Sequence, residues 1–482
     1  MGALFGIFEI GKSGLIASQT ALSVVSNNIA NVNTPGYTKK EAILETMSPE
    51  KTRAGYIGRG VTVRHIRRKY YEFLQRQIYT QSQNLGTSES LKALYTRVEE
   101  VFNEQAGQNL SGAMNEYFEA WQSISVNPDE RSVRTVLLQK ASSFIEVAKD
   151  MEHQIEDVLQ EAEDRKSDAA GRINTILREI ARLNVQIKQI EAGGIQKAND
   201  LRDKREALLT ELGSLVDFSY IEDEFGSVTV FVAQRAVVDG DIVRPLQLDR
   251  NIEGEYVIKV DGQDVTANIH GGQLGGALRA EEEIKDNILK PFRKLMAGII
   301  LETNKLHQQG YDLDGINGRD FFLPLGVTGK DFSQGASITS LQVFDQSQLT
   351  LHEYEIRFTS ASAYEVYDLD TSTVVASGTY TPGVTIQFDG IQVQIDNDAG
   401  GPQAGDYFFV SPLERAIKDM SLSVSRPEEI AAAVDPAALP GDNRLALQMV
   451  SLYQGDIPAL GATFNDYYRG IVTTSGSMSA LA

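Results

Sequence analysis

Cysteine is missing altogether from the 482 residues. That removes disulfides, thiolate nucleophiles and zinc–thiolate sites together, and leaves the fold indifferent to the redox state around it. Histidine is scarce. The five, at 65, 153, 270, 307 and 352, include no His-x-x-x-His pair of the kind that binds zinc. With no Gly-x-Ser-x-Gly elbow either, nucleophilic hydrolysis has no visible carrier. Positive charge falls short, with 45 Lys and Arg against 66 Asp and Glu, a net charge of −21. A phosphate backbone needs a basic face, so no nucleic acid is expected as a partner. No run of about 18 apolar residues exists, so no membrane insertion is expected. The N-terminus also lacks the basic segment of a secretory signal, and Glu9, Lys12 and Gln19 interrupt its apolar pattern.

What is present begins with a heptad seam. Leu4, Phe8, Gly11, Leu15, Ser18, Leu22, Val25 and Ile29 step by fours and threes, which makes an a/d stripe that wants a partner helix. Gly11 and Ser18 thin the seam or let another helix come close. An ordinary amphipathic helix packed on its own core would carry the same pattern. The segment Ser26-Asn-Asn-Ile-Ala-Asn-Val-Asn-Thr-Pro-Gly-Tyr37 then stops the helix. Its asparagines compete for backbone groups. In Thr34-Pro35-Gly36-Tyr37, Pro35 presets φ and Gly36 accepts the positive φ of a type II turn.

Residues 58–66 alternate as a strand or extended arm, and a helical period returns from Arg67 to Phe102. Asn127-Pro-Asp-Glu130 breaks it. Proline is then absent until Pro245. Two apolar series, Phe144 to Ala162 and Ile173 to Ile190, predict a helix over about 134–191, roughly 85 Å long at 1.5 Å per residue. Polar residues around 165–167 and Gly171 mark a candidate bend. Glu191-Ala-Gly-Gly194 ends the element, and a helix from about Ala198 to Leu215 suggests an antiparallel hairpin. Residues 216–270 turn strand-like, with Asp261-Gly262 as a hairpin signal. Gly271 to Gly276 opens another helix, which Pro291 kinks or starts. From 338 to 412 about six short strands read as a small sandwich or barrel, with Asp389-Gly390 as a tight hairpin. Helical chain resumes after Pro412. The order helix, β, helix implies an insertion, and the fold class is α+β: an elongated helical coiled-coil or bundle rod with an inserted all-β domain.

Few residues tempt a catalytic reading. Asp312-Leu-Asp-Gly-Ile-Asn-Gly-Arg-Asp320 is rich in oxygen ligands. An EF-hand loop wants glycine sixth and glutamate twelfth, and here those places hold Asn317 and Leu323. A plain turn fits better. Gly271-Gly-Gln-Leu-Gly-Gly276 does not spell Gly-x-Gly-x-x-Gly and opens no evident βαβ unit. Trp121, the only tryptophan, reads as a core or interface residue. The carboxylates mostly ride helical faces. No catalytic residue, cofactor or metal site is expected, and the chain does not read as an enzyme.

The word Asn31-x-Asn33-Thr34-Pro35-Gly36-Tyr37 behind a heptad helix resembles the N-terminal signature of the bacterial flagellar axial proteins, the rod, hook and hook-associated subunits. Later segments favour a hook-associated member. They are Asn127-Pro-Asp-Glu-Arg-Ser-Val-Arg134, Asn199-Asp-Leu-Arg-Asp-Lys-Arg-Glu-Ala-Leu-Leu209, Gly271 to Gly276, Asn304-Lys-Leu-His-Gln-Gln-Gly310, Gly318-Arg-Asp-Phe-Phe322, Tyr364-Glu-Val-Tyr-Asp368 with Gly378-Thr-Tyr380, Gly401-Pro-Gln-Ala-Gly-Asp406 and Gly441-Asp-Asn-Arg444. The resemblance implies a structural subunit at the junction of hook and filament. It implies export through the flagellar type III apparatus without a cleaved signal, and a place in the extracellular flagellum. Implied partners are further copies in a ring-like layer, the hook protein, a second junction protein, the export apparatus and a chaperone. The signature Asn31, Asn33, Thr34, Pro35, Gly36 and Tyr37 would lead outward, and Leu4, Phe8, Leu15, Leu22, Val25 and Ile29 would form the assembly seam.

The expected organisation is a heptad helix over 1–36, an extended arm over 37–66, a helical rod over 67–320 with β structure at 216–270, a β domain over 338–412, and a return to the rod over 413–482. Family members continue into a long heptad helix carrying Ser-Gly-Val-Asn. This sequence reaches Ser477-Met-Ser-Ala-Leu-Ala482 without it, so the seam's C-terminal partner helix is absent from these residues. Another axial subunit, a secreted stalked adhesin or β-domain enzyme, and a cytoplasmic coiled-coil adaptor remain alternatives.

Overall fold

The structure is a computed structural model that describes residues 2–52, 55–103, 109–194, 197–251, 254–398 and 400–482, with backbone only for 2–5. By internal contacts it divides into two units, one of Met1–Leu91 with Ala162–Arg279, the other of Lys92–Glu161 with Ala280–Ala482. That division runs through three helices, whereas the composition pattern points to one helical segment over 67–320.

The first unit opens with α1 (Gly2–Ala30) and the strands β1 (Lys40–Thr46), β2 (Glu50–Thr52), β3 (Gly55–Ile57) and β4 (Val61–Arg68). β1 pairs antiparallel with β4, and β2 with β3, so the expected extended arm is a folded-back ribbon. Next come α2 (Glu72–Val101), α3 (Leu110–Val126), α4 (Arg131–Glu191) and α5 (Asn199–Leu215). α4 runs 61 residues without interruption through the polar stretch at 165–171. The first unit then adds β5 (Phe218–Glu222), β6 (Val228–Val232), β7 (Arg235–Asp239) and β8 (Ile242–Val243) as one sheet. A second sheet holds β9 (Gln247–Arg250), β10 (Tyr256–Val260) and β11 (Gln263–Asp264). Apolar positions of α4 at heptad-like spacing (Ile173, Ile176, Ile180) meet Leu209 and Leu212 of α5 and the inward side chains Val230, Val232, Ile258 and Val260 in one buried core. Strand alternation and helix period thus face each other, as a layered α+β core requires.

α6 (Gly272–Ile284) passes through a single π turn at Lys285–Leu289 into α7 (Lys290–His307), and the π turn lies beside Pro291, which has no N–H to bond the turn before it. The second unit's β structure starts earlier than the sequence pattern suggests. β12 (Thr328–Phe332), β19 (Tyr407–Ser411), β14 (Tyr354–Ser360), β15 (Ala363–Asp368) and β16 (Thr373–Thr379) form a five-stranded sheet in that order. β13 (Ala336–Val343), β18 (Ile391–Asn397) and β17 (Thr385–Phe388) form a three-stranded one. The chain ends in α8 (Arg444–Gln454) and α9 (Phe464–Leu481), whose N-cap Thr463 accepts from the Asp466 N–H.

An aromatic core centres on Trp121, fully buried and 5.4 Å from Phe321 between ring centroids. Tyr117 stacks on Phe144 at 5.8 Å. Buried polar side chains tie loops to this core. Asn304 accepts from the N–H groups of Phe321 and Phe322 and donates to the Phe322 carbonyl. Arg134 donates twice to the Pro128 carbonyl and once to that of Ile430, and burial pulls its pKa down to about 10. Asp312 pairs with Arg319 and accepts from the Ile316 N–H, so its loop closes on itself as a turn.

His307 is fully buried between two backbone groups. Its Nδ1 lies 2.7 Å from the Arg319 carbonyl, and its Nε2 accepts from the Ala431 N–H at 2.9 Å. Only the neutral ring with the proton on Nδ1 satisfies both, because a second ring proton would face another donor. Burial is the main cause that holds its pKa down to about 4. Above the ordinary histidine value near 6.5, neither folded nor unfolded chain is charged here. Between 6.5 and 4 the unfolded chain takes up a proton that the folded chain refuses. Stability therefore falls as pH falls through that window, by ~3 kcal/mol in total. Urea midpoints measured from pH 7 to 4 should show this slope, and His307→Gln should flatten it.

Candidate functional site

α1 presents two unlike faces. Toward the ribbon it sets Ser13, Ala17, Ala21 and Val24, with Ala17 2% and Val24 8% exposed. Ser13 Oγ donates to the Ile10 carbonyl and accepts from the Val61 N–H. A Cβ on Gly60 would sit 2.1 Å from Ser13 Oγ, so only glycine allows the ribbon this close. On the other face the seam stands in solvent: Phe8 71%, Leu15 71%, Leu22 66%, Val25 50% and Ile29 68% exposed. Leu4 lies outside the residues whose side chains are described. Gly11 has open space around its Cα, and Ser18 is exposed. Thus the small residues that allow close approach are a different set from those read off the seam.

The signature segment is a joint. Tyr37 N–H donates to the Thr34 carbonyl at 3.2 Å, and Gly36 has φ +76°, which matches a type II turn at Pro35-Gly36. Thr34 Oγ1 donates to Asn31 Oδ1 at 3.2 Å. Tyr37 Oη lies 2.8 Å from Oδ1 of both Asn27 and Asn28. Asn33 and Pro35 face solvent. Asn28, still inside α1, treats Lys40 as a strand neighbour would. Its Oδ1 accepts from the Lys40 N–H at 2.9 Å and its Nδ2 donates to the Lys40 carbonyl at 2.8 Å.

Charge fastens the ribbon to α5. Arg68 is buried and donates to Asp203 at 2.7 Å and to both oxygens of Glu206 at 2.7 and 3.0 Å. Burial works against the guanidinium charge, but Glu206 and Asp203 outweigh it and raise its pKa. The Glu206 carboxyl is pushed up, chiefly by burial. Lys40 pairs with Asp200 in the first turn of α5, where a carboxylate also meets the helix dipole. Asn199 donates to the Ile66 carbonyl. Elsewhere on α5, Arg202 grips Glu191 through two bonds of 2.7 and 2.9 Å. Burial opposes ionisation of Glu191, yet bonds from Arg202, Lys197 and the Ala198 N–H draw its pKa down to about 2. A cleft of about 800 Å³ opens beside this joint, with Thr20, Asn27, Lys40, Arg64, His65 and Asp200 in its walls.

Asn28, Lys40, Arg68, Asp203 and Glu206 were not legible as a set from sequence. The available signal was the carboxylate series Asp200, Asp203, Glu206 at three-residue spacing on one helix face. Among the described residues no group of three His, Asp or Glu side chains is placed to hold a metal ion. No helix among them is long and apolar enough to cross a membrane.

Comparison with known proteins starts at the joint itself. Residues 8–38 match the family model of flagella basal body rod protein. Residues 95–322 match the helical domain of flagellar hook-associated protein FlgK, and 329–412 match the D2-like domain of flagellar hook-associated protein 1. These stretches define a structural component of the bacterial flagellum. Flagellar hook-associated protein 1 of Salmonella typhimurium is 27% identical over 490 residues, covering 97% of this chain and 87% of that protein. The Escherichia coli protein is 26% identical over 486 residues with the same coverage. The Bacillus subtilis protein is 26% identical over 360 residues, covering 67% of this chain and 71% of its own length. In fold, the chain is similar to the flagellar hook junction protein FlgK of Burkholderia pseudomallei, with TM-score 0.63 and 22% identity over 74% of this chain and 66% of that one. The chain belongs to the flagellar hook-associated protein 1 family.

Replacing Arg68 by methionine would leave the buried Asp203 and the half-buried Glu206 side by side without that cation. A loss of ~3–5 kcal/mol is expected. It should appear as faster hydrogen exchange in β4 and α5. The triple replacement Arg68→Met, Asp203→Leu, Glu206→Met should recover most of it.

Proposed function

We propose that the protein forms the layer that joins hook to filament. In this reading it leaves the cell through the flagellar type III apparatus and settles at the distal hook end. There it contacts further copies of itself, the hook protein and a second junction protein, after a chaperone has accompanied it. The observation that carries the reading is the solvent-exposed face of α1. A water-soluble chain does not ordinarily leave Phe8, Leu15, Leu22, Val25 and Ile29 in one uncovered line, and such a stripe marks an association surface. Family membership supplies the setting. The period of the seam supports a helix as its cover, with heptad packing along the tube wall. The signature turn then directs the chain away from that wall. No turnover is needed for this role, and subunit contacts do the work.

Purified full-length protein added to isolated hooks should appear at their tips in electron micrographs. Binding along rods, or none at the tips, would refute the junction reading. Leu22→Asp with Ile29→Asp should cut tip occupancy at least tenfold. The thermal transition should stay in place, because neither side chain is buried.

A further inference from the structure

The net charge of −21 hides a segment of opposite sign. Between Lys39 and Arg76 the chain carries ten Lys and Arg against four Asp and Glu. Some of these are spoken for: Lys40 by Asp200, Arg68 by Asp203 and Glu206, Arg76 by Glu72. Lys39, Lys51, Arg59, Arg64, Arg67 and Lys69 all stand exposed on or beside the ribbon. The carboxylates nearest them are loosely placed, with Glu45 at 3.5 Å from Arg64 and Glu41 at 3.9 Å from Lys69.

A surface of the complementary sign lies in the second unit. Glu146, Asp150 and Asp157 share the solvent face of α4, with His153 between them and 3.7 Å from Asp157. The cations on the neighbouring flank are directed elsewhere. Lys418 pairs with Glu156, Arg293 pairs with Glu152 and Glu156, and Lys149 acts on Asp419. The Glu146–Asp150 repeat spans about 6 Å along a helix. Arg67 and Lys69, two residues apart in extended chain, span about 6–7 Å. The two charge rows therefore run in step.

We propose that the basic ribbon of one copy docks on the acidic face of α4 in a second copy. Ribbon against ribbon, or α4 against α4, would set like charges together. The contact joins unlike patches, so it can be repeated head-to-tail from one copy to the next. Repeated from copy to copy, such a contact builds a layer of identical subunits. Exposed charge pairs fix orientation and partner choice more than affinity, and salt weakens them. The inference rests on the proposed junction role for its setting, but not for its test.

Full-length protein should self-associate in sedimentation at low salt and dissociate as salt rises. Arg64→Glu with Arg67→Glu should weaken this at least fivefold, and so should Glu146→Lys with Asp150→Lys. Mixing the two variants should restore it, because each supplies the surface the other lacks. Association that neither variant weakens, a mixture no better than its components, or wild-type protein that stays monomeric at every salt would overturn the proposal. The absence of native cysteine permits a second readout. An Arg67→Cys protein mixed with an Asp150→Cys protein should form an oxidised cross-link between copies assembled on hooks, while either alone should not. Layers that form without this cross-link count against the contact. Hooks that take up no protein at all count against the junction role, with the solution result standing on its own.

Discussion

The guanidinium of Arg68 cannot leave without stranding the buried carboxylate of Asp203 and the half-buried one of Glu206, and that contact fastens the ribbon to α5. The ribbon has only two long strands, β1 and β4, and two strands alone are marginal in water. α1 contributes mostly small residues to the contact, so apolar burial there is thin. The ion pairs and the Asn28 clamp on Lys40 supply the specificity that a large core supplies elsewhere. The same economy explains the two faces of α1. The face against the ribbon carries small side chains where Gly60 and Ser13 come close, and the bulky seam stands in solvent on the other.

A similar logic runs through the second unit. Asn304, His307, Arg134 and Asp442 each satisfy backbone groups of loops that would otherwise be buried without partners. Each sits inside one of the sequence segments that carry the family resemblance. Resemblance in this chain therefore concentrates where side chains replace secondary structure as the partner of the main chain.

Much of the architecture was readable because it follows period and turn chemistry. The proline-free interval and its apolar steps correspond to α4. Asp261-Gly262 and Asp389-Gly390 are tight hairpins with positive φ at both positions. The turn at Ala233-Gln234 also has positive φ at both positions, with no glycine to announce it, and joins β6 to β7. β12 reads Thr-Gly-Lys-Asp-Phe, which neither alternates nor looks apolar, yet it pairs along its length with β19. For the candidate site, the exposed seam and the turn were visible as words, while the Asn28 clamp and the Arg68 pairing were not. They join residues 12 and 135 positions apart, and local patterns carry no information about such distances.

The clamp of Asn28 on Lys40 gives α1 a stop in place of a smooth track. A helix held by apolar contact alone can slide by fractions of a residue, since packing energy changes gradually. Here any axial shift first breaks two hydrogen bonds to a single backbone position. α1 ends at Ala30, two residues on, and Asn31 beyond it is held in the signature turn, so no further asparagine of the helix can take over the clamp. The single clamp thus acts as an axial stop, setting the register of the N-terminal helix on its ribbon as a pin sets a shaft.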